Sequence, residues 1–144
     1  MGLTIRRSGG IPSRVWDEVA MRQTGLTAGA LIQARSFDRG HGLDDRPHKP
    51  YSARYRAFRE SKGFQVSPPN LTRTGRMRRS FRLLYVSPRL ARLGLAGAPA
   101  VYGHFVHQFR PWLGLSQADK GKLRDALPGI VRAAIARSVA RRGR

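Results

Sequence analysis

Between Val101 and Leu123 the segment VYGHFVHQFRPWLGLSQADKGKL changes its backbone period twice. Val101, Tyr102, Phe105, Val106 and Phe109 recur at steps of three and four, the spacing of one apolar helical face. Pro111 excludes helix at Arg110 and turns the chain extended. Trp112, Leu113 and Leu115 follow as a run that reads as buried, bent at Gly114. Ser116 with Asp119 three residues on predicts a helix N-terminus, Asp replacing the Glu or Gln of a full capping box. Helix, extended corner and capped helix together predict the core of a small domain. Tyr102, Phe105, Phe109, Trp112 and Leu115 are its candidate core or assembly-interface residues, Trp112 leaning to core.

A chain of 144 residues suffices for one domain with a real core. Upstream, Val15, Trp16, Val19 and Ala20 predict a helix that Ser13 can cap from Arg14, with Asp17 and Glu18 favoured by its dipole. Gly25 and Gly29 weaken its continuation, so a break is expected. Ser36 to Pro50 reads as a long loop with little to bury. Tyr51, Tyr55 and Phe58 mark another helix, ending before Gly63. Ser80 to Val86 predicts a strand with Phe81, Leu83 and Tyr85 on one side, and Leu90 to Ala96 its return. From Ser116 onward Leu123, Leu127, Val131, Ile135 and Val139 repeat every four residues, and Pro128-Gly129 predicts a kink or two shorter helices. The expected fold is α+β: an antiparallel hairpin or small sheet against several helices, the last one long. Its expected limits are residues 13–136, with a mobile arm at 1–12 and a fraying basic tail at 137–144.

Charge carries the partner argument. The 28 Lys and Arg against 8 Asp and Glu give a net charge of +20, which draws the chain to polyanions. Arg outnumbers Lys by 24 to 4. The basic residues are spread along the chain, densest at Arg73, Arg76, Arg78, Arg79 and Arg82, the candidate DNA- or channel-facing set. Helix-turn-helix and zinc-finger spacings are absent, so contact with DNA is expected to be non-specific. There is no cysteine, no Walker or dinucleotide loop and no nucleophile elbow. Asp44-Asp45 read as a solvated turn rather than a carboxylate pair, and His104 with His107 lacks a third ligand nearby. The chain is therefore expected to be a non-enzyme with no cofactor or metal. With no apolar leader and no spanning segment it is expected to be soluble at synthesis and to have no membrane partner.

Several motifs, in order, resemble the phage virion morphogenesis family, the tail-completion proteins of Mu-like and related tailed phages. They are Gly42-Leu43-Asp44 with Pro50-Tyr51-Ser52, Asn70-Leu71-Thr72 with Thr74-Gly75-Arg76-Met77, Tyr102 with His107-Gln108-Phe109, and Arg110 to Ser116 followed by Asp119. The likeness covers roughly Gly42 to Leu127. The HQF and RPWLG elements abut here, where family members usually carry a variable loop. The resemblance implies a small α+β virion protein at the neck. It would pair with copies of itself in a ring, commonly a hexamer, around genomic DNA, and meet the tail tube or head–neck adaptor proteins. The alternative is a free-standing nucleic-acid-binding protein.

Overall fold

The computed structural model describes residues 1–7, 10, 12 and 15–143. Its elements run β1 (Gly2–Arg6), α1 (Glu18–Gln33), a single π-helical turn (Ala34–Asp38), α2 (Ala53–Ser61), α3 (Arg76–Ser80), β2 (Phe81–Ser87), β3 (Leu90–Leu95), α4 (Pro99–Phe109) and α5 (Gln117–Arg142). The expected α+β architecture is present: among the described residues there are five α-helices, the last of them long, with a three-stranded antiparallel sheet in the order β1-β3-β2. The first strand corrects the expected arm. Gly2 to Arg6 pairs with Gly94 to Leu90, turning Leu3 and Ile5 inward against the core. The expected Ser13 cap and Arg14 start lie outside the described residues. The helix begins instead after Asp17, whose side chain accepts a hydrogen bond from the Ala20 N–H at 2.9 Å.

Gly25 and Gly29 do not break α1. They lie on its buried face with Ala20, Thr24 and Ala28, where small residues let the helix settle onto the sheet. A Cβ at Gly25 would come 3.0 Å from both Ala91 Cβ and Leu83 Cδ1, tighter than ordinary packing. The π turn that follows carries Arg35, Ser36 and Phe37 into the core, so the segment expected as a loop has much to bury.

In the sheet, β2 departs from the expected alternation. Its register with β3 shifts between Leu83 and Tyr85, a bulge that adds a residue and reverses the facing beyond it. Val86 thus joins Leu83 on the packed side, while Tyr85 turns to solvent at 54% exposure.

Two apolar clusters share the α1 side of the sheet. One centres on fully buried Trp112, with Phe37 and Phe81 edge-on to it at 5.4 Å each. The other joins Trp16, Ala20, Met21 and Ala91 to Ile130 and Ala134 of α5. That packing holds α5 as one helix through Pro128-Gly129, with no assigned interruption. Pro128 lies on the exposed side, where water can satisfy the carbonyl it leaves unbonded. Leu123, Ile130 and Ala134 are buried, but Ile135 and Val139 are exposed, so the four-residue repeat overstates the buried stripe. Nor does the C-terminal end simply fray, since helix continues to Arg142. Arg137 clamps Asp17 with two hydrogen bonds, at 3.1 and 2.9 Å, and Arg141 stands 3.5 Å from the same carboxylate.

A buried ion pair joins these parts. Arg35, wholly buried, donates to Asp119, to the Trp112 carbonyl at 2.5 Å and to the Gly114 carbonyl at 3.0 Å. Asp119 also accepts from the Ser116 N–H at 3.3 Å and donates its own N–H to the Ser116 hydroxyl at 3.1 Å, completing the capping box. Burial pulls the Arg35 guanidinium below its ordinary value, and the Asp119 charge opposes that pull.

Asp119→Ala leaves a buried guanidinium without its anion and should cost about 3–5 kcal/mol in chemical denaturation. Arg35→Met with Asp119→Leu, which removes both charges, should recover a large part of that loss. The Arg137 hydrogen bonds hold the Asp17 carboxyl down at about 2 against an ordinary 3.8. Its contribution is full above pH 3.8 and is lost as pH falls through about 2. Acid titration of stability should therefore be shallower over that window in Arg137→Met than in the parent.

Candidate functional site

The apolar face expected at Val101 to Phe109 forms, but most of it points outward. Gly103 is the residue of α4 that meets the sheet; a Cβ there would fall 2.1 Å from Leu95 Cδ1. Ala100 and Val106 pack beside it. Val101 is left 70% exposed, Phe105 57% and Phe109 80%, with Tyr102 also exposed. The expected core-or-interface set therefore divides. Trp112 is core and Leu115 packs against it, whereas Tyr102, Phe105 and Phe109 form a solvent-facing aromatic strip.

His107 orients this helix against the corner that follows. Its Nδ1 accepts from the Trp112 and Leu113 backbone N–H groups, both at 3.3 Å. That role requires an unprotonated Nδ1. Burial, with His104 nearby, lowers the His107 value from an ordinary 6.5. His104 itself contacts Gln108 at 3.3 Å. Among the described residues no group of three or more His, Cys, Asp or Glu side chains is placed to hold a metal.

Beside α4 lies an open groove of about 810 Å³, bounded by Tyr51 and Tyr55, by the 70–77 segment, and by Tyr102, Val106, Phe109 and Arg110. Ser52 caps α2, and Tyr55 and Arg59 of that helix line this space. Arg59, only 2% exposed, donates to the Gln65 carbonyl at 2.7 Å and the Thr72 carbonyl at 2.9 Å. Its guanidinium sits 4.8 Å from the Tyr51 ring, and that of Arg110 sits 5.0 Å from the same ring. The Tyr51 hydroxyl donates to the Asn70 carbonyl at 2.6 Å, and the Asn70 side chain accepts from the Thr72 N–H. The groove wall is thus a hydrogen-bonded frame.

The five arginines of the dense cluster do not share one face. Arg73 and Arg76 line the groove, Arg73 lying 5.4 Å from the Phe58 ring. Arg78 pairs with Asp38 at 2.6 Å, and Arg79 donates to the Thr74 carbonyl at 3.1 Å. Arg82 points from β2 to the sheet face away from α1. The register puts Arg6 and Arg92 on that same face, with exposed Tyr85.

Arg59 and Asn70 are positioning residues that the sequence reading does not single out, whereas His107 enters it as half of a histidine pair; Asn70 lies within the Asn70-Leu71-Thr72 motif. Nothing in the sequence separates Arg59 from its exposed neighbours Arg54 and Arg56. Asp44-Asp45 is a structural turn rather than a free carboxylate pair: Asp45 accepts from the Ala118 N–H at 3.2 Å, tying the 42–48 loop to α5. The Ser116 hydroxyl and this N–H hold the Asp45 carboxyl below its ordinary value.

Comparison with family models, with curated proteins and with solved structures gives no match. Among the described residues no helix is long and apolar enough to cross a membrane.

His107→Phe keeps a flat ring but removes the acceptor, leaving two N–H groups unpaired. A loss of about 1–3 kcal/mol is expected, with faster amide exchange at Trp112 and Leu113. In the parent, the His107 contribution is full above pH 6.5 and declines as acid protonates the ring. The variant should lose that part of the pH dependence.

Proposed function

We propose that this chain is a structural virion protein of a tailed phage, a tail-completion or tail-terminator subunit at the neck. In this role it works by contact, not catalysis. It binds copies of itself in a ring and the tail tube or head–neck adaptor on either side, with genomic DNA passing through non-specifically. The observation that carries the reading is the aromatic strip of Tyr102, Phe105 and Phe109 left exposed on a small, strongly basic domain. A contiguous apolar strip of this kind is the usual mark of a surface that is covered in an assembly. Motif order along Gly42 to Leu127 supplies the family, through its resemblance to tail-completion proteins. The basic sheet face of Arg6, Arg82 and Arg92 suits a DNA-lined lumen.

One observation favours the second reading, a free-standing nucleic-acid-binding protein. Tyr85 stands exposed among those same arginines, an arrangement that can stack a base while guanidiniums meet phosphates.

The two readings separate on tails assembled without this protein. Purified chain should restore head joining, and light scattering should find it free of nucleic acid at high salt. Phe105→Ser with Phe109→Ser, both at exposed positions, should change stability by about 0.5 kcal/mol or less yet abolish joining. Nucleic acid retained at high salt, with no action on tails, would favour the second reading.

A further inference from the structure

The groove beside α4 shares Tyr102 and Phe109 with the aromatic strip but has its own chemistry on the opposite wall. Among the described residues its lining includes no carboxylate, although four guanidiniums reach it. Two of those, Arg59 and Arg110, are already hydrogen-bonded to backbone carbonyls. Arg73 and Arg76 are exposed and have no hydrogen-bond or ion-pair partner among the described residues, which leaves their donors for an incoming anion. Between them the chain offers apolar surface from Leu71, Met77 and Val106.

We propose that this groove is a docking site for a short acidic segment of a partner protein, with one large apolar side chain seated against Leu71, Met77 and Val106 and flanking carboxylates on Arg73 and Arg76. The inference goes beyond the virion reading and does not depend on it, because it concerns what the groove takes, whichever complex supplies the segment. Charge complementarity selects the occupant. Free guanidiniums beside an apolar surface match carboxylates beside an apolar anchor.

A second copy of this chain is a poor fit. Its own carboxylates are largely engaged: Asp17 by Arg137, Glu18 by Arg22, Asp38 by Arg78, Glu60 by Arg56 and Asp119 by Arg35. The two segments with two acids beside a large apolar residue are both held internally: Trp16 is buried ahead of the paired Asp17 and Glu18, and in Leu43-Asp44-Asp45 Leu43 lies against Gly114 and Asp45 accepts from the Ala118 N–H. On the α2 wall Tyr51 already carries two guanidiniums and Tyr55 stacks on Phe58 at 6.1 Å. A base could therefore stack only at the α4 rim, on Tyr102 or Phe109, which gives single-stranded nucleic acid less stacking surface than a groove lined with open rings.

The test uses the full chain, isotopically labelled, titrated with an acetylated peptide of about eight residues alternating Glu-Asp with Leu-Phe. Saturable amide shifts are expected, confined to the groove residues, among them Leu71, Arg73, Arg76, Met77, Tyr102 and Val106. Arg76→Glu, at an exposed position with no hydrogen-bond or ion-pair partner among the described residues, should weaken binding about tenfold or more. Arg124→Glu on the exposed side of α5 should leave it unchanged. Absence of saturable shifts, equal binding of the peptide with Lys in place of Glu and Asp, or shifts mapping elsewhere would each overturn the proposal. Tighter binding of an oligothymidylate at the same residues would overturn it in favour of nucleic acid. Loss of tail joining with the peptide result intact would count against the virion reading alone.

Discussion

The Arg35–Asp119 pair is the point where three separate parts of the chain meet. Arg35 arrives on the π turn after α1, Asp119 on the first turn of α5, and the Trp112 and Gly114 carbonyls on the corner between α4 and α5. A helix end, a helix start and an extended corner are each poor in internal backbone hydrogen bonds. One buried guanidinium supplies donors to the corner and a counter-charge to the cap. Such a pair need not add net stability over an apolar replacement, but losing either half strands a charge in the core. Its value is positional: it fixes where Trp112 sits and from what point α5 departs.

Once the corner is fixed, the placement of α4 follows. The helix must end at Arg110, because Pro111 begins the corner, and His107 fastens its last turn to the two N–H groups beyond. Gly103 allows a close approach to Leu95 and turns the helix so that its small side faces the sheet. The large residues Tyr102, Phe105 and Phe109 are left facing water. The aromatic strip is thus a consequence of anchoring the helix by its glycine. The groove arises on the adjoining side, where the Arg59–Asn70–Tyr51 frame holds the 70–77 segment apart from α4.

The sequence made some of this legible and hid the rest for physical reasons. The Ser116–Asp119 cap, the stop at Pro111 and the return strand after Ser87-Pro88 are local signals that tertiary structure did not override. The α4 stripe showed its period but not its direction, because periodicity says that residues share a face and not what covers it. Gly25 and Gly29 read as helix breakers, since their use depends on Leu83 and Ala91 against Gly25 and on Leu93 against Gly29, all about sixty residues away in the chain. The β1 strand was hidden by its length: five residues with two inward side chains acquire meaning only beside β3. The bulge at Leu84 reversed the outer half of β2, a one-residue shift that no alternation pattern reports. For the candidate site, Arg73 and Arg76 were named together with Arg78, Arg79 and Arg82 because density in sequence was the available cue. Folding sent these five to a groove, an ion pair, a turn carbonyl and a sheet face.

The proposed role at the neck of a tailed particle rests on the surface that α4 leaves uncovered. Electron cryomicroscopy of assembled tails containing this chain would view that surface in place. Density matching the domain is expected at the head-proximal end of the tail, with Phe105 and Phe109 covered by a neighbouring subunit. Particles that lack the domain, or that contain it with the aromatic strip facing solvent, would overturn the proposed role.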